Sequence, residues 1–201
     1  LKFAEFNQLG DRFISKYYTS PKLAESEAAF AASNTNIASS KEYVWFATGG
    51  KRSNVYRMNR ISKQIEVFET PVIQSTNSQG IYTMDVYKNK FAIVAGGDYT
   101  KQNENIRNIA TSTNAGKTWQ IQASGSNAGY ITCVRIRPGS KGREIIAVGD
   151  QHISYSKDYG RSWKKISDEK NLYTCEWLNK KTIVLAGNGR IVMMDVTKQG
   201  S

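Results

Sequence analysis

Gly129-Tyr130-Ile131-Thr132-Cys133-Val134 opens the stretch whose reading decides the fold. A polar turn follows, Pro138-Gly139-Ser140-Lys141-Gly142, and then the apolar run Ile145-Ile146-Ala147-Val148-Gly149. The alternating His152-Ile153-Ser154-Tyr155-Ser156 and the shorter Ser162-Trp163-Lys164-Lys165-Ile166 complete the unit. Runs of four to six β-branched or aromatic residues between Gly, Asn and Ser are strands, because their period and length suit a pleated chain and not a helix. Residues 129–168 therefore read as four short strands joined by tight turns.

The same order recurs on both sides. Gly80-Ile81-Tyr82-Thr83-Met84-Asp85 leads to Lys88-Asn89-Lys90, Phe91-Ala92-Ile93-Val94-Ala95-Gly96, Asn108-Ile109-Ala110-Thr111-Ser112 and Thr118-Trp119-Gln120-Ile121. Leu172-Tyr173-Thr174-Cys175-Glu176-Trp177 leads to Asn179-Lys180-Lys181, Thr182-Ile183-Val184-Leu185-Ala186-Gly187 and Arg190-Ile191-Val192-Met193-Met194. An earlier copy pairs Ala29-Phe30-Ala31-Ala32-Ser33 with Val44-Trp45-Phe46-Ala47-Thr48-Gly49-Gly50. The matching starts Phe30, Tyr82, Ile131 and Tyr173 are 52, 49 and 42 residues apart. Four strands per unit at a period of about 40–50 residues is the pattern of propeller blades, whereas a sandwich or barrel lacks this longer period. The expected fold is all-β, a β-propeller of four-stranded antiparallel blades at about 29–70, 80–123, 129–168 and 172–197.

Two turns between third and fourth strands are sharper. Ser112-Thr113-Asn114-Ala115-Gly116-Lys117-Thr118-Trp119 and Ser156-Lys157-Asp158-Tyr159-Gly160-Arg161-Ser162-Trp163 lie 44 residues apart. Asn114 and Asp158 can accept N–H groups within the turn, Gly116 and Gly160 can supply a positive φ, and Trp119 and Trp163 can fill the space between blades. These turns resemble the Asp-box, Ser-x-Asp-x-Gly-x-x-Trp, of BNR-repeat propellers, with Asn114 as the one departure. With Phe30-Ala31-Ala32-Ser33, Trp45-Phe46-Ala47-Thr48-Gly49-Gly50 and Val94-Ala95-Gly96-Gly97-Asp98-Tyr99, residues 25 to 196 look like a bacterial group of secreted Asp-box propellers. That group is similar to the photosystem II stability/assembly factor family and is often labelled oxidoreductase or sialidase-like. The resemblance implies a seven-bladed ring on the exported or periplasmic side of the cell, acting through binding, with no reaction assigned.

Four unit starts fit into 201 residues, while a seven-bladed ring at about 45 residues per blade needs over about 300. The chain is therefore expected to be the C-terminal part of a longer propeller, with earlier blades on the same precursor or a separate chain. A four-bladed ring is the alternative. Residues 1–28 are expected to supply a strand and a connection, Lys2-Phe3-Ala4-Glu5-Phe6 being a fourth strand that in a four-bladed ring pairs with the last blade. The opening Leu1-Lys2-Phe3 lacks an initiator Met and a signal-peptide core, which reads as a chain processed or cut from something longer.

In such blades the second-to-third loops and the links between blades share one face. Lys51, Arg52, Asp98, Tyr99, Asp150, His152, Asn188 and Arg190 stand on those loops beside Gly49-Gly50, Gly96-Gly97, Gly149 and Gly187-Asn188-Gly189. Glycine there either admits a ligand close to the backbone or simply ends a strand. The polar loop from Tyr99 to Arg107 has the reach to contact a partner. These residues form the expected binding set, for a protein or glycan partner.

Lys and Arg number 28 against 17 Asp and Glu, a formal net charge of +11. Lys88, Lys90, Lys141, Arg143, Lys180 and Lys181 fall at first-to-second turns, and Lys117 and Arg161 at the two Ser-x-Asx turns, all on the opposite face. They either meet an anionic surface or are ordinary solvated turn residues. No ladder of exposed aromatics interleaves with them and no nucleic-acid module is present, so no specific nucleic-acid partner is expected.

The sequence holds one His and two Cys, too few for a zinc site at ligand spacing. No metal, cofactor or catalytic residue is assigned. The early Phe-Arg-Ile-Pro motif of sialidases is missing, since Asp11-Arg12-Phe13-Ile14 has another order. Arg52, Arg107 and Arg190 carry no mark of a carboxylate-binding triad. A sialidase-like hydrolase or carbohydrate-binding propeller stays as the alternative function. Cys133 and Cys175 occupy matching inner-strand positions in adjacent units and are expected to be two buried thiols.

Overall fold

The computed structural model describes residues 3–9, 12–18, 21–30 and 35–196, and no α-helix occurs among them. In chain order the strands are β1 (Phe3–Leu9), β2 (Arg12–Tyr18), β3 (Glu27–Ala28), β4 (Ile37–Ser39), β5 (Tyr43–Ala47), β6 (Gly49–Gly50) and β7 (Asn54–Asn59). They continue as β8 (Ile65–Glu69), β9 (Gln79–Tyr87), β10 (Phe91–Asp98), β11 (Ile109–Ser112), β12 (Gln120–Gln122) and β13 (Cys133–Ile136). The last six are β14 (Ile145–Gly149), β15 (His152–Ser156), β16 (Lys164–Ser167), β17 (Thr174–Trp177), β18 (Thr182–Gly187) and β19 (Arg190–Asp195).

Four antiparallel sheets follow one another. The first is ordered β4-β5-β7-β8, the second β12-β11-β10-β9 with β6 and β3 added beyond β9, the third β13-β14-β15-β16, and the fourth β17-β18-β19. Each meander runs from the inside outward, and a separate core fills the space between each successive pair. Trp45, Ala47 and Val55 of the first sheet pack on Ile81, Met84 and Val94 of the second. Ile93, Ala95 and Ile109 pack on Val134, Ile145 and Ala147, and Cys133, Ile146 and Ile153 pack on Cys175, Ile183 and Leu185. A sheet between two neighbours buries both faces, so its second strand loses the apolar–polar alternation of a half-exposed strand. All eight residues of β10 and all five of β14 are buried. This radial stack of twisted sheets is the propeller architecture.

The two sharp turns carry the same bonds. Gly116 N donates to Ser112 Oγ at 2.9 Å and Thr118 N to Asn114 Oδ1 at 3.0 Å. In the other turn Gly160 N donates to Ser156 Oγ and Ser162 N to Asp158 Oδ1, both at 2.9 Å. Gly116 and Gly160 have φ of 76° and 81°. Trp119 packs against the core between the first and second sheets, and Trp163 against that between the second and third.

Three expectations are corrected. The innermost described strand of the first sheet is Ile37–Ser39; of the expected 29–33, Ala29 and Phe30 are not in a strand, and Ala31, Ala32 and Ser33 lie outside the described residues. Phe30 instead stacks on Tyr82 at 4.0 Å, which holds its segment on the second sheet. Gly49–Gly50 does not extend β5 but crosses to the edge of the second sheet, where Gly49 pairs with Gly80. A Cβ on Gly80 would lie 2.3 Å from the Gly49 Cα, so only glycine permits this approach. Finally, Phe3–Leu9 is not the fourth strand of a blade but pairs with Arg12–Tyr18 in a two-stranded ribbon, so the pairing with the last sheet that the four-bladed alternative would bring is not made either; Lys2 lies outside the described residues. The Lys63–Glu5 ion pair, at 3.2 Å, ties this ribbon to the first sheet.

Candidate functional site

The loop-bearing side of the second and third sheets gathers aromatic rings around two carboxylates. Tyr82, near the start of β9, stacks on Phe30 and meets Tyr130 edge-on at 4.9 Å and Tyr99 at 6.5 Å. Asp98 ends β10 and is buried. Its Oδ1 accepts from Thr100 N at 3.0 Å and Thr100 Oγ1 at 2.6 Å, and its Oδ2 accepts from Gln79 Nε2 at 3.3 Å. Burial pushes this carboxyl up, but the Thr100 and neighbouring hydrogen bonds outweigh it and hold the group below its ordinary value. Asp150, half-buried, accepts from Gln102 Nε2 at 2.6 Å, and there burial prevails and raises the carboxyl.

The long loop is pinned rather than free. Tyr130 N donates to Gln102 O at 2.9 Å. Asn105 and Asn127 exchange side-chain amide bonds with each other's carbonyls, at 3.0 and 2.8 Å. Asn108 Nδ2 donates to Glu104 O at 2.8 Å, and Lys101 pairs with Glu104 at 3.0 Å. On this fixed rim Tyr99 is 51% exposed and Ile106 53% exposed. Two large apolar groups are thus held in water by a loop that cannot fold them away.

The structure divides the expected binding set. Asp98, Tyr99 and Asp150 come together through Tyr82, Tyr130 and Gln102. His152 is buried, its Nδ1 3.2 Å from Ser154 Oγ, in the wall of a pocket of about 320 Å³. Burial holds its imidazole below the ordinary value; the Tyr130 backbone opposes this and Lys165 adds to it. Asn188 and Arg190 share a shallow recess of about 540 Å³, where Arg190 Nη2 bonds Glu169 Oε2 at 2.8 Å and Lys170 O at 2.6 Å. Lys51 is exposed, and Arg52 pairs with Glu69 at 3.8 Å. Arg107 has φ of 58°, and its Nε donates to Pro71 O at 2.8 Å. Arg52, Arg107 and Arg190 each close on a different local partner.

The glycines beside these residues serve the chain's own packing. A Cβ on Gly149 would lie 2.2 Å from Tyr130 O, and one on Gly187 2.3 Å from Asn171 O. Each second strand ends where the incoming link passes against it. Sequence reading missed Tyr82 and Tyr130 as rim residues, whereas Gln102 and Ile106 lie in the loop it singled out. The recurrence of a tyrosine just after Gly80 and Gly129 was the available signal. Among the described residues no cluster of three or more His, Cys, Asp or Glu could hold a metal ion.

No protein-family model and no curated protein matches the sequence. Solved structures do resemble it. The GH74 enzyme of Niastella koreensis superposes with a TM-score of 0.61 at 16% identity, over 81% of this chain and 28% of that one. The WD40 β-propeller domain of Doa1 superposes with a TM-score of 0.61 at 9% identity, over 98% of this chain and 59% of that one. At such identity the likeness is one of architecture. The chain has a β-propeller fold, and it spans less than two thirds of the length of either neighbour.

Proposed function

We propose that the protein is a non-catalytic propeller platform that binds a protein partner through the rim carrying Tyr99 and Ile106. The observation that carries this reading is the pinned loop: two half-exposed apolar side chains on a backbone fixed by Gln102, Asn105 and Asn108. Preorganised apolar anchors ringed by polar groups are what a protein interface needs, because little ordering entropy remains to be lost on binding. The propeller neighbours are consistent with a binding platform. An exported setting is part of the same proposal and rests on the sequence resemblance.

The hydrolase alternative draws less support. Asp98 is committed to Thr100 and Gln79, and Asp150 to Gln102. A glycosidase of the usual kind needs a pair of carboxylates free to flank a glycosidic bond.

The test is capture of a partner by the wild type and by Tyr99→Ala/Ile106→Ala. Partner recovery is expected to fall at least about tenfold, the loss of a central apolar anchor, with an unchanged thermal midpoint. Equal recovery would remove the rim from the interface. Asp98 and Arg107 are unsuitable for this test, since both hold the loop itself.

A further inference from the structure

A second concavity opens on the opposite, turn-bearing side, between the second and third sheets. It has a volume of about 660 Å³ and is walled by four cations, Lys88, Lys90, Lys141 and Arg161, together with aromatic, threonine and glutamine side chains. That volume is in the range of small-ligand sites. No carboxylate lines the cleft. Among the described residues, no ion pair or side-chain hydrogen bond involves any of the four cations. Lys88 Nζ lies over the Tyr87 ring at 5.5 Å. Like charges gathered around one cleft repel each other, so a group of four with no carboxylate among them favours a counter-charge from outside.

The cleft is built and not merely a gap between lysines. Phe91 forms its buried floor and Tyr159 stands over it, ring centroids 5.5 Å apart. Tyr159 N donates to Arg143 O at 2.9 Å, which fastens the turn carrying Arg161 to the turn carrying Lys141. Three residues of the lining have left-handed backbones although none is glycine: Lys88 (φ 54°), Lys141 (φ 59°) and Tyr159 (φ 66°).

The turn at Ser156–Trp163 carries Asp158, but its carboxylate is held by Ser162 N, Ser162 Oγ and Ser156 Oγ at 2.9, 2.6 and 2.9 Å. The turn at Ser112–Trp119, which supplies Thr113 and Thr118 to the cleft, has neutral Asn114 in that place and the same backbone bond. One sheet further on, the corresponding cleft of about 300 Å³ has Arg137, Arg143, Lys157 and Lys180, yet it also contains Glu144. That carboxylate binds Arg137 and accepts from Tyr155 Oη at 2.5 Å. Only the first of these two clefts lacks an internal anion.

We infer that the cleft between the second and third sheets binds an anion bearing two or more phosphate or sulfate groups. Three ammonium groups, a guanidinium fork and the Thr113 and Thr118 hydroxyls offer many donors converging from several directions. A tetrahedral oxyanion accepts from several directions at once, which a planar carboxylate does less well. The concave shape suits a discrete ligand over a flat membrane surface.

The experiment is calorimetric titration at low salt with sodium tripolyphosphate, with a sulfated tetrasaccharide, and with polyglutamate of matched charge. At least one oxyanion is expected to bind saturably at one site per chain and to weaken with added salt; the tighter of the two names its source. Lys141→Gln/Arg161→Gln is expected to weaken binding at least about tenfold, the loss of one or two charge-assisted contacts. Asn114→Asp, which keeps the turn bonds but places a carboxylate at the rim, is expected to weaken it about threefold or more. Lys157→Gln/Lys180→Gln in the neighbouring cleft leaves it within about twofold, a surface-charge effect only. The altered lysines and arginines are exposed turn residues, so thermal midpoints stay near that of the wild type. Absence of saturable binding to both oxyanions overturns the inference. So does equal weakening by the neighbouring-cleft pair, or equal affinity for polyglutamate.

Discussion

Glu27 shows how a single side chain can organise a connection. It is buried at the edge of the second sheet and accepts from Thr48 Oγ1 at 2.7 Å, Tyr56 Oη at 2.7 Å, Asn54 Nδ2 at 3.0 Å and Ala24 N at 3.0 Å. Burial alone would push this carboxyl up. The hydrogen bonds from Tyr56, Thr48, Ala24 and Asn54 more than offset that and hold it below the ordinary value of 4.5. A lowered native value means the unfolded chain binds the proton more readily. The contribution to stability is therefore complete above about pH 4.5 and is lost as pH falls through the lowered native value. Glu27→Gln is expected to remove that part of the acid dependence, and Glu27→Ala to cost about 2–4 kcal/mol by leaving buried donors unpaired. Urea unfolding from pH 7 to 3 checks both; parallel pH profiles for wild type and Glu27→Gln would contradict the assignment. None of this was legible in the sequence. Glu27 lies in a polar stretch with no motif, and its three side-chain partners are 21 to 29 residues away.

At the scale of elements, the turns between third and fourth strands were the most readable part of the chain. Their bonds join residues two to four apart, so the Ser-x-Asx-x-Gly order alone specifies the geometry. Asp158→Ala removes the acceptor of Ser162 N and two hydroxyl bonds. It is expected to lower stability by about 1–2 kcal/mol, discounted for the exposure of the turn, measured by thermal or urea unfolding. A change below about 0.3 kcal/mol would mean the turn is held by Trp163 packing and not by the acidic side chain. The edge strand β19 is the contrasting case. Val192 and Met194 face the last core, while Ile191 and Met193 are 76% and 67% exposed. The alternation was visible, but which of its two faces would be covered was not, because that depends on a neighbour.

For the whole molecule, stability lies in the three cores between sheets, and the cysteines report on the last of them. Cys133 and Cys175 are both free and buried, on β13 and β17, with sulfurs 3.6 Å apart. The expectation of two buried thiols from matching inner-strand positions agrees with this. Neither sulfur is reachable unless the third and fourth sheets separate. A thiol reagent is therefore expected to label both at one common slow rate, set by that opening, and to label them rapidly in denaturant. Fast labelling of one alone in the native protein would show that the two sheets are not joined as a unit. The rim and the basic cleft belong to this same scale. Each is assembled from segments roughly 50 residues apart, brought together by the stacking of one sheet upon the next.

The sequence by itself determined the strand order within the second, third and fourth units, the bonding of the two sharp turns and the radial repeat, because strand period and turn chemistry act over a few residues. Only the tertiary structure decided where Phe30, Gly49 and Phe3–Leu9 pair, which of the loop residues share a rim, and that four turn cations face one another across a cleft. Those outcomes depend on which segments the packing of neighbouring sheets brings within a few ångströms, and contact at that range is not encoded in local spacing.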